Sequence, residues 1–246
     1  MRLVTLPGVF SPISDSRMLA RLAVAEALPP GARVLDVCTG SGYVAVTAAL
    51  AGIREVTAID VSRRAQLTAR VNACLNGVRI RALRGDLLEP VAGERFDLIV
   101  SNPPYVPADS DKLPRRGKAR AWAAGLDGRV FLDRLIDAAP EHLTPGGRLL
   151  VVHSSLIGDD ATLERMRDRG LEAEIVAEET SPLGPLMTER AGELEARGLL
   201  EPGVREEDVV VVRGRRPVAT VLDDGHRDRD PHAPHAQGLR LGAGRP

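Results

Sequence analysis

Short apolar runs that stop at a polar residue set the rhythm of this chain. Residues 34–37, 56–59, 78–83 and 96–100 each read as a strand, and they run into Cys38-Thr39, Asp60, Gly85-Asp86 and Ser101-Asn102 respectively. Four strands ending in polar residues define one rim of a parallel sheet, the side on which open α/β sheets hold ligands. Segments of helical period lie between them. Ser14 or Asp15 is placed to cap a helix running to about residue 28, with Met18, Leu19 and Leu22 toward the core and Pro29-Pro30-Gly31 as its stop. An alanine-rich helix over 43–51 follows a glycine turn. Ser62 caps a third helix, on which Leu67, Val71, Cys74 and Leu75 share one face and which Gly77 closes.

Beyond the fourth strand the pattern loosens. Residues 107–126 are too long and polar for an ordinary connection and read as a functional loop. A helix from Asp127 or Gly128 through Ile136, a strand over 148–153, a helix over 161–169, a strand over 172–179 and a last strand over 209–213 bring the count to seven. The alternation predicts a doubly wound, Rossmann-like α/β sheet occupying residues 1–216. An insertion at about 182–203 holds a helix-like stretch over 186–197, read as a solvated helix, with a lid or a partner surface as the other readings. From 222 to 246 Gly, Pro, His, Arg and Asp dominate without apolar period, which predicts a disordered tail.

Composition narrows the partners. A chain of 246 residues, 43% hydrophobic, buries one substantial core. Its net charge of −1 gives no global positive field of the kind that holds nucleic acid nonspecifically. A nucleic-acid role would need a local patch; Lys112, Arg115, Arg116, Lys118 and Arg120 form one basic run, read equally well as a solvated loop. Cys38 and Cys74 match neither a metal-ligand spacing nor a disulfide framework, and nothing at the N-terminus reads as a signal peptide or membrane span. The expectation is a cytoplasmic protein without a metal site. His226, His232 and His235 lie in the tail with no scaffold to fix them, and His153 reads as packing at a strand end.

The rim residues suggest a chemistry. Gly40 and Gly42 lie in a small-residue turn that lets backbone N–H groups approach a ligand, either a dinucleotide or the amino-acid end of S-adenosylmethionine. No third glycine falls in phase for the dinucleotide fingerprint, and Asp36 just before the turn repels pyrophosphate but binds an ammonium group. S-adenosylmethionine is therefore favoured. Asp60 is placed for the ribose hydroxyls, Asp86 for an adenine amine and Leu87 for the ring face, with strand-end capping as the plainer role of each acid. At Asn102-Pro103-Pro104-Tyr105, the Asn102 side-chain oxygen and the Pro103 carbonyl can each accept an N–H from a planar nitrogen, turning its lone pair toward the methyl group. The prolines stiffen this geometry. Tyr105, one of six aromatic residues, can pack against a planar amide or base, and Trp122 walls the same pocket or plugs the core.

Taken in order, Asp36-Val37-Cys38-Thr39-Gly40-Ser41-Gly42, Asp60, Gly85-Asp86-Leu87 and Asn102-Pro103-Pro104-Tyr105 resemble the class I methyltransferases of the HemK/PrmC family, over roughly residues 10–213. Ala121-Trp122-Ala123-Ala124-Gly125-Leu126-Asp127-Gly128-Arg129 is similar to the Ala-Trp-x-Gly-Gly-x-x-Gly-Arg segment of the family's short branch, which lacks the N-terminal helical domain of bacterial PrmC, and this chain leaves no room for one. Pro12-Ile13-Ser14-Asp15-Ser16 is similar to that branch's Pro-x-x-Asp-Thr, whose last residue contacts the cofactor, a role that passes to Ser16. The resemblance implies an antiparallel last strand and N5-methylation of a protein glutamine amide, as in the Gly-Gly-Gln motif of translation release factors. It also implies a small zinc-binding activator subunit. The chain departs from the pattern in three places. Cys38 stands where the family often has its first glycine, Ser11 and Ser14 stand where the short branch has acids, and the 182–203 insertion has no short-branch counterpart. Methylation of an adenine N6 in DNA or RNA, methylation of a small-molecule amine or amide, and a cofactor-binding scaffold without catalysis remain as alternatives.

Overall fold

The computed structural model describes residues 1–114 and 118–218. Seven strands, β1 (Arg33–Val37), β2 (Glu55–Asp60), β3 (Arg81–Arg84), β4 (Phe96–Ser101), β5 (Leu143–Ser154), β6 (Glu172–Pro182) and β7 (Glu206–Arg215), form one sheet in the order β3-β2-β1-β4-β5-β7-β6. The pairs from β3 through β5 are parallel, and β7 runs antiparallel between β5 and β6. The doubly wound expectation and its antiparallel last strand are thus met. Strand β3 is shorter than the 78–83 run predicted, and β5 begins earlier, at Leu143.

The unbroken apolar runs have a direct cause, because both faces of the sheet are covered. Alternate residues Val34, Leu98, Val100, Leu150 and Val152 pack under α1 (Ser14–Ala25) and α2 (Tyr43–Leu50), with Met18 and Leu19 buried there and Leu22 partly so. Their neighbours Leu35, Val37, Ile99, Leu149 and Val151 point to the opposite face, against Leu132, Leu135 and Ile136 of α4 (Val130–His142) and Met166 of α5 (Asp159–Asp168). Glutamates 172, 174, 178 and 179 sit on β6, a charged edge that discourages pairing with another chain. Among the described residues no helix is long and apolar enough to cross a membrane.

Two helix readings need correction. Ser62 caps α3 (Arg63–Leu75) as expected, but the buried face is Ala65, Thr68, Ala69, Asn72 and Ala73, while Leu67, Val71, Cys74 and Leu75 are exposed. Close approach is the reason. A Cβ added at Gly42, the residue ahead of α2, would lie 2.7 Å from the Ala69 Cβ, so only small side chains fit that seam. Helix α1 starts without a side-chain cap, because Asp15 is buried and turned toward the cleft.

The insertion is packed. Its helices α6 (Pro185–Glu189) and α7 (Ala191–Ala196) bury Leu183, Met187, Ala191, Leu194 and Leu200 in a satellite cluster with Val106. The solvated-helix reading is therefore overturned. Arg115 and Arg116 of the basic run, and the 222–246 tail with its three histidines, lie outside the described residues.

Candidate active site

The strand order reverses between β1 and β4, the crevice at which open α/β sheets bind ligands. Val37 pairs with Ser101 there, and the Ser101 hydroxyl donates to the Val37 carbonyl at 2.8 Å, locking the two strand ends together. Asp36 and Asn102 are thereby held on neighbouring strands. A cleft of about 1880 Å³ opens over this point, larger than the ~300–1,000 Å³ of a typical small-ligand pocket and roomy enough for a cofactor and an acceptor together. Ser16, Asp36, Cys38, Gly40, Asp60, Asp86, Leu87, Asn102 through Tyr105 and Trp122 all line it. Gly42 stands behind that lining, where its φ of +79° and its close approach to Ala69 seat the start of α2.

One half of the cleft is built from the acidic strand ends. Asp36 Oδ2 accepts from the Thr39 hydroxyl at 2.5 Å and from the Ala45 N–H at 3.1 Å, and burial pushes its carboxyl up to about 7 against those two bonds. Asp60 accepts from the Gly40 N–H at 3.0 Å and the Ser62 N–H at 2.8 Å; burial raises its pKa and the two N–H groups oppose the rise. Cys38, with φ +59°, and Leu87, with φ +46°, occupy left-handed backbone that side chains rarely adopt, and both face the cleft. Burial pushes the Cys38 thiol far up, so it remains a thiol and contributes shape. Asp86 is engaged by Arg134 at 2.7 Å, leaving its carboxylate only partly free for an adenine amine. A buried and a half-buried carboxylate beside an open glycine turn suit a ligand carrying positive charge and disfavour a pyrophosphate, so the donor set fits S-adenosylmethionine. Asp60→Ala is expected to raise the cofactor dissociation constant at least about tenfold, the cost of one charge-assisted hydrogen bond, with kcat at saturating cofactor within about fivefold. A titration returning the wild-type constant would remove Asp60 from the cofactor site.

The other half is organised by Asn102. Its Nδ2 donates to the Ser16 hydroxyl at 3.2 Å, which anchors one end of the amide at the cleft. Ser16 itself lines the cleft beside Asn102. The Tyr105 hydroxyl donates to Asp15 Oδ2, and burial followed by the Asp15 charge raises the phenol's pKa well above its ordinary value. Trp122 lines the cleft and also packs against the satellite cluster, with the Arg190 guanidinium 6.0 Å from its ring centroid, so both readings of it apply.

The 107–126 loop closes on itself. Val106 N–H donates to the Trp122 carbonyl at 2.9 Å, and Ala124 N–H to that of Val106 at 3.1 Å. Arg190 donates to Pro107 O and Asp109, and Arg197 to Ala108 O and Leu126 O, so the insertion straps this loop down. On the far side Gly128 lies against Tyr105, and the buried Arg129 donates to Ile157 O at 2.7 Å, Gly158 O at 2.9 Å and Asp133 at 2.9 Å. Three contributors went unread in the sequence. A capping pattern masks Asp15, whose place in Pro12-Ile13-Ser14-Asp15-Ser16 is its usable signal. Arg129 ends the stretch from Ala121, which marks its position but not its buried bonds. Glu207, which lines the cleft from the start of β7, carried no signal at all.

Comparison with known proteins gives this geometry a class. A family model of the methyltransferase small domain matches residues 1–114. The solved Mtq2–Trm112 complex of E. cuniculi, responsible for methylation of the eRF1 translation termination factor, superposes with a TM-score of 0.57 at 23% identity, covering 85% of this chain and 99% of that one. A T. thermophilus 16S rRNA methyltransferase bound to AdoMet and guanosine gives 0.54 at 22% identity, over 86% and 46%. The fold is that of a Rossmann-like methyltransferase. Sequence relatives narrow it further: a Methanocaldococcus jannaschii protein named as an N5-glutamine methyltransferase is 34% identical over 188 residues, 76% of this chain and 93% of that one. The release factor glutamine methyltransferase of Geobacter sulfurreducens is 40% identical over 60% of this chain and 54% of its own length. The ribosomal protein uL3 glutamine methyltransferase of Bradyrhizobium diazoefficiens is 42% identical over 48% and 39%. The chain belongs to the family of protein N5-glutamine methyltransferases, spanning nearly all of the first relative and about half or less of the other two.

Proposed function

We propose that this enzyme transfers a methyl group from S-adenosylmethionine to the side-chain amide nitrogen of a protein glutamine, with a cytoplasmic translation release factor as its substrate. The placement of Asn102 carries the reading: it lines the cleft at the end of β4 with Nδ2 on the Ser16 hydroxyl, and Oδ1 is its acceptor for an N–H. An amide nitrogen is a weak nucleophile because its lone pair is delocalised. Asn102 Oδ1 and the Pro103 carbonyl accept its two N–H bonds and align the lone pair, while Tyr105 and Trp122 flank the planar group. S-adenosylmethionine, when bound, supplies an activated methyl on a sulfonium, so alignment is the protein's main contribution and the proton leaves to water. Asp15 and Glu207, both buried, present carboxylates to the acceptor half, which tolerates a neutral amide and repels a phosphate backbone. That favours a protein acceptor over DNA or RNA.

The named activities of the relatives support the same substrate class. The structural neighbour in complex with Trm112 supports a small activator subunit here too, and Leu67, Val71 and Leu75 on α3 offer an exposed apolar stripe for a partner to cover. Purified enzyme given methyl-labelled cofactor with release factor, DNA and RNA in parallel is expected to label the protein alone, with mass spectrometry placing the methyl on glutamine. Label confined to nucleic acid would overturn the assignment.

A further inference from the structure

Glu207 is the second residue of β7, and because β7 runs antiparallel its beginning lies at the rim where the parallel strands end. The residue is 8% exposed and lines the same cleft as Asn102 and Tyr105. Gly184 N–H donates to Oε1 at 3.2 Å, while Oε2 is buried with no hydrogen-bond partner; burial raises the carboxyl's pKa, and the Ser154 hydroxyl and Gly184 N–H oppose the rise. A buried acceptor left without a donor is destabilising, and native structures rarely leave one. Among the described residues the other such side-chain atom is His153 Nε2, which does not line the cleft.

The surroundings select the missing donor. Tyr105 spends its hydroxyl on Asp15, so it cannot supply the bond. The Asp15 charge adds to the negative field at Glu207, which excludes phosphate and carboxylate ligands. Leu186 and Met187 of the insertion line the cleft beside Gly184 and make that flank apolar. What fits is an N–H donor on a group without negative charge that can also lie along an apolar flank, and a polypeptide backbone supplies one.

We propose that Glu207 is a specificity-determining residue whose Oε2 accepts a main-chain N–H of the polypeptide next to the methyl-accepting glutamine. This rests on the protein-glutamine reading above and names the group that recognises the peptide. Because Oε1 holds Gly184, one carboxylate ties substrate seating to the seating of the insertion.

A protein–substrate double-mutant cycle tests it. Peptides containing Gly-Gly-Gln, unmodified or N-methylated at one backbone nitrogen at a time, are assayed with wild type, Glu207→Gln and Glu207→Leu. In wild type, one N-methyl position is expected to raise KM about tenfold with kcat within about threefold. Glu207→Gln keeps an oxygen for Gly184 but turns an NH₂ toward the peptide. It is expected to raise KM for the unmodified peptide by about the same factor and to lose sensitivity to that one position only. Because it keeps the Gly184 bond, its melting temperature and cofactor affinity should match those of wild type, whereas Glu207→Leu, which gives up that bond as well, should lose the same peptide sensitivity with a lower melting temperature. Peptide methylation in which every N-methyl effect adds to that of Glu207→Gln would overturn the Glu207 assignment alone. Peptides and release factor left unmethylated while nucleic acid is labelled would overturn both readings.

Discussion

Asn102→Ala is expected to lower kcat about 10²–10³-fold, the scale seen when one preorganised hydrogen-bonding group is removed from a transition state, while cofactor affinity stays within about threefold. The reasoning rests on position. Asn102 stands at the end of β4, beside β1 across the switch point, and its amide is fixed by Ser16 at 3.2 Å. Removing the side chain leaves the Pro103 carbonyl to hold one N–H, but nothing sets the rotation of the acceptor amide, so the lone pair is aligned only by chance. Ser16→Ala is the matched control. It frees the Asn102 amide to turn over and should cost about tenfold or less, because the correct orientation stays populated. Single-turnover rates with saturating cofactor measure both. Equal loss of rate and of cofactor affinity in Asn102→Ala would mean that the residue belongs to the cofactor half of the cleft.

Gly128→Ala is expected to destabilise the fold by about 3 kcal/mol or more and to reduce activity at least tenfold in the molecules that remain folded. Two independent costs meet at this residue. Its φ of +78° is strained for any side chain, and an added Cβ would lie 2.4 Å from the Tyr105 carbonyl oxygen and 2.8 Å from Ile157 Cγ2. The backbone of Tyr105 must shift to admit it, carrying Asn102-Pro103-Pro104 out of line. Thermal melting and kcat measured on the same preparation separate the two effects. A variant with wild-type stability and rate would show that the loop tolerates a displacement the packing forbids.

The rim was legible because parallel strands buried on both faces write continuous apolar runs, and their polar ends mark the ligand side without further information. Asp36, Asp60 and Asn102 could be placed for that reason. The buried face of α3 was not legible. Its leucines and valine obey helical spacing, but the residue against Gly42 must be as small as Ala69, and a periodicity of large side chains cannot report a requirement for small ones. Asp15 is illegible for a different reason: an acid at a helix start satisfies a capping pattern whether it turns to the backbone or to Tyr105, 90 residues further along the chain. The insertion resembled a solvated helix because its apolar residues complete a core only together with Val106 and Trp122, which the sequence does not place beside it.

The antiparallel course of β7 bears on how the chain assembles. Strands β1 to β5 and the cofactor half of the cleft can form from local βα units, but β7 must then slide between β5 and a β6 that precedes it in sequence. Until that hairpin docks, β5 is an open apolar edge and Glu207 is absent from the acceptor pocket. The cofactor half can therefore mature first during synthesis, with the ability to select a substrate arriving as the last step of folding.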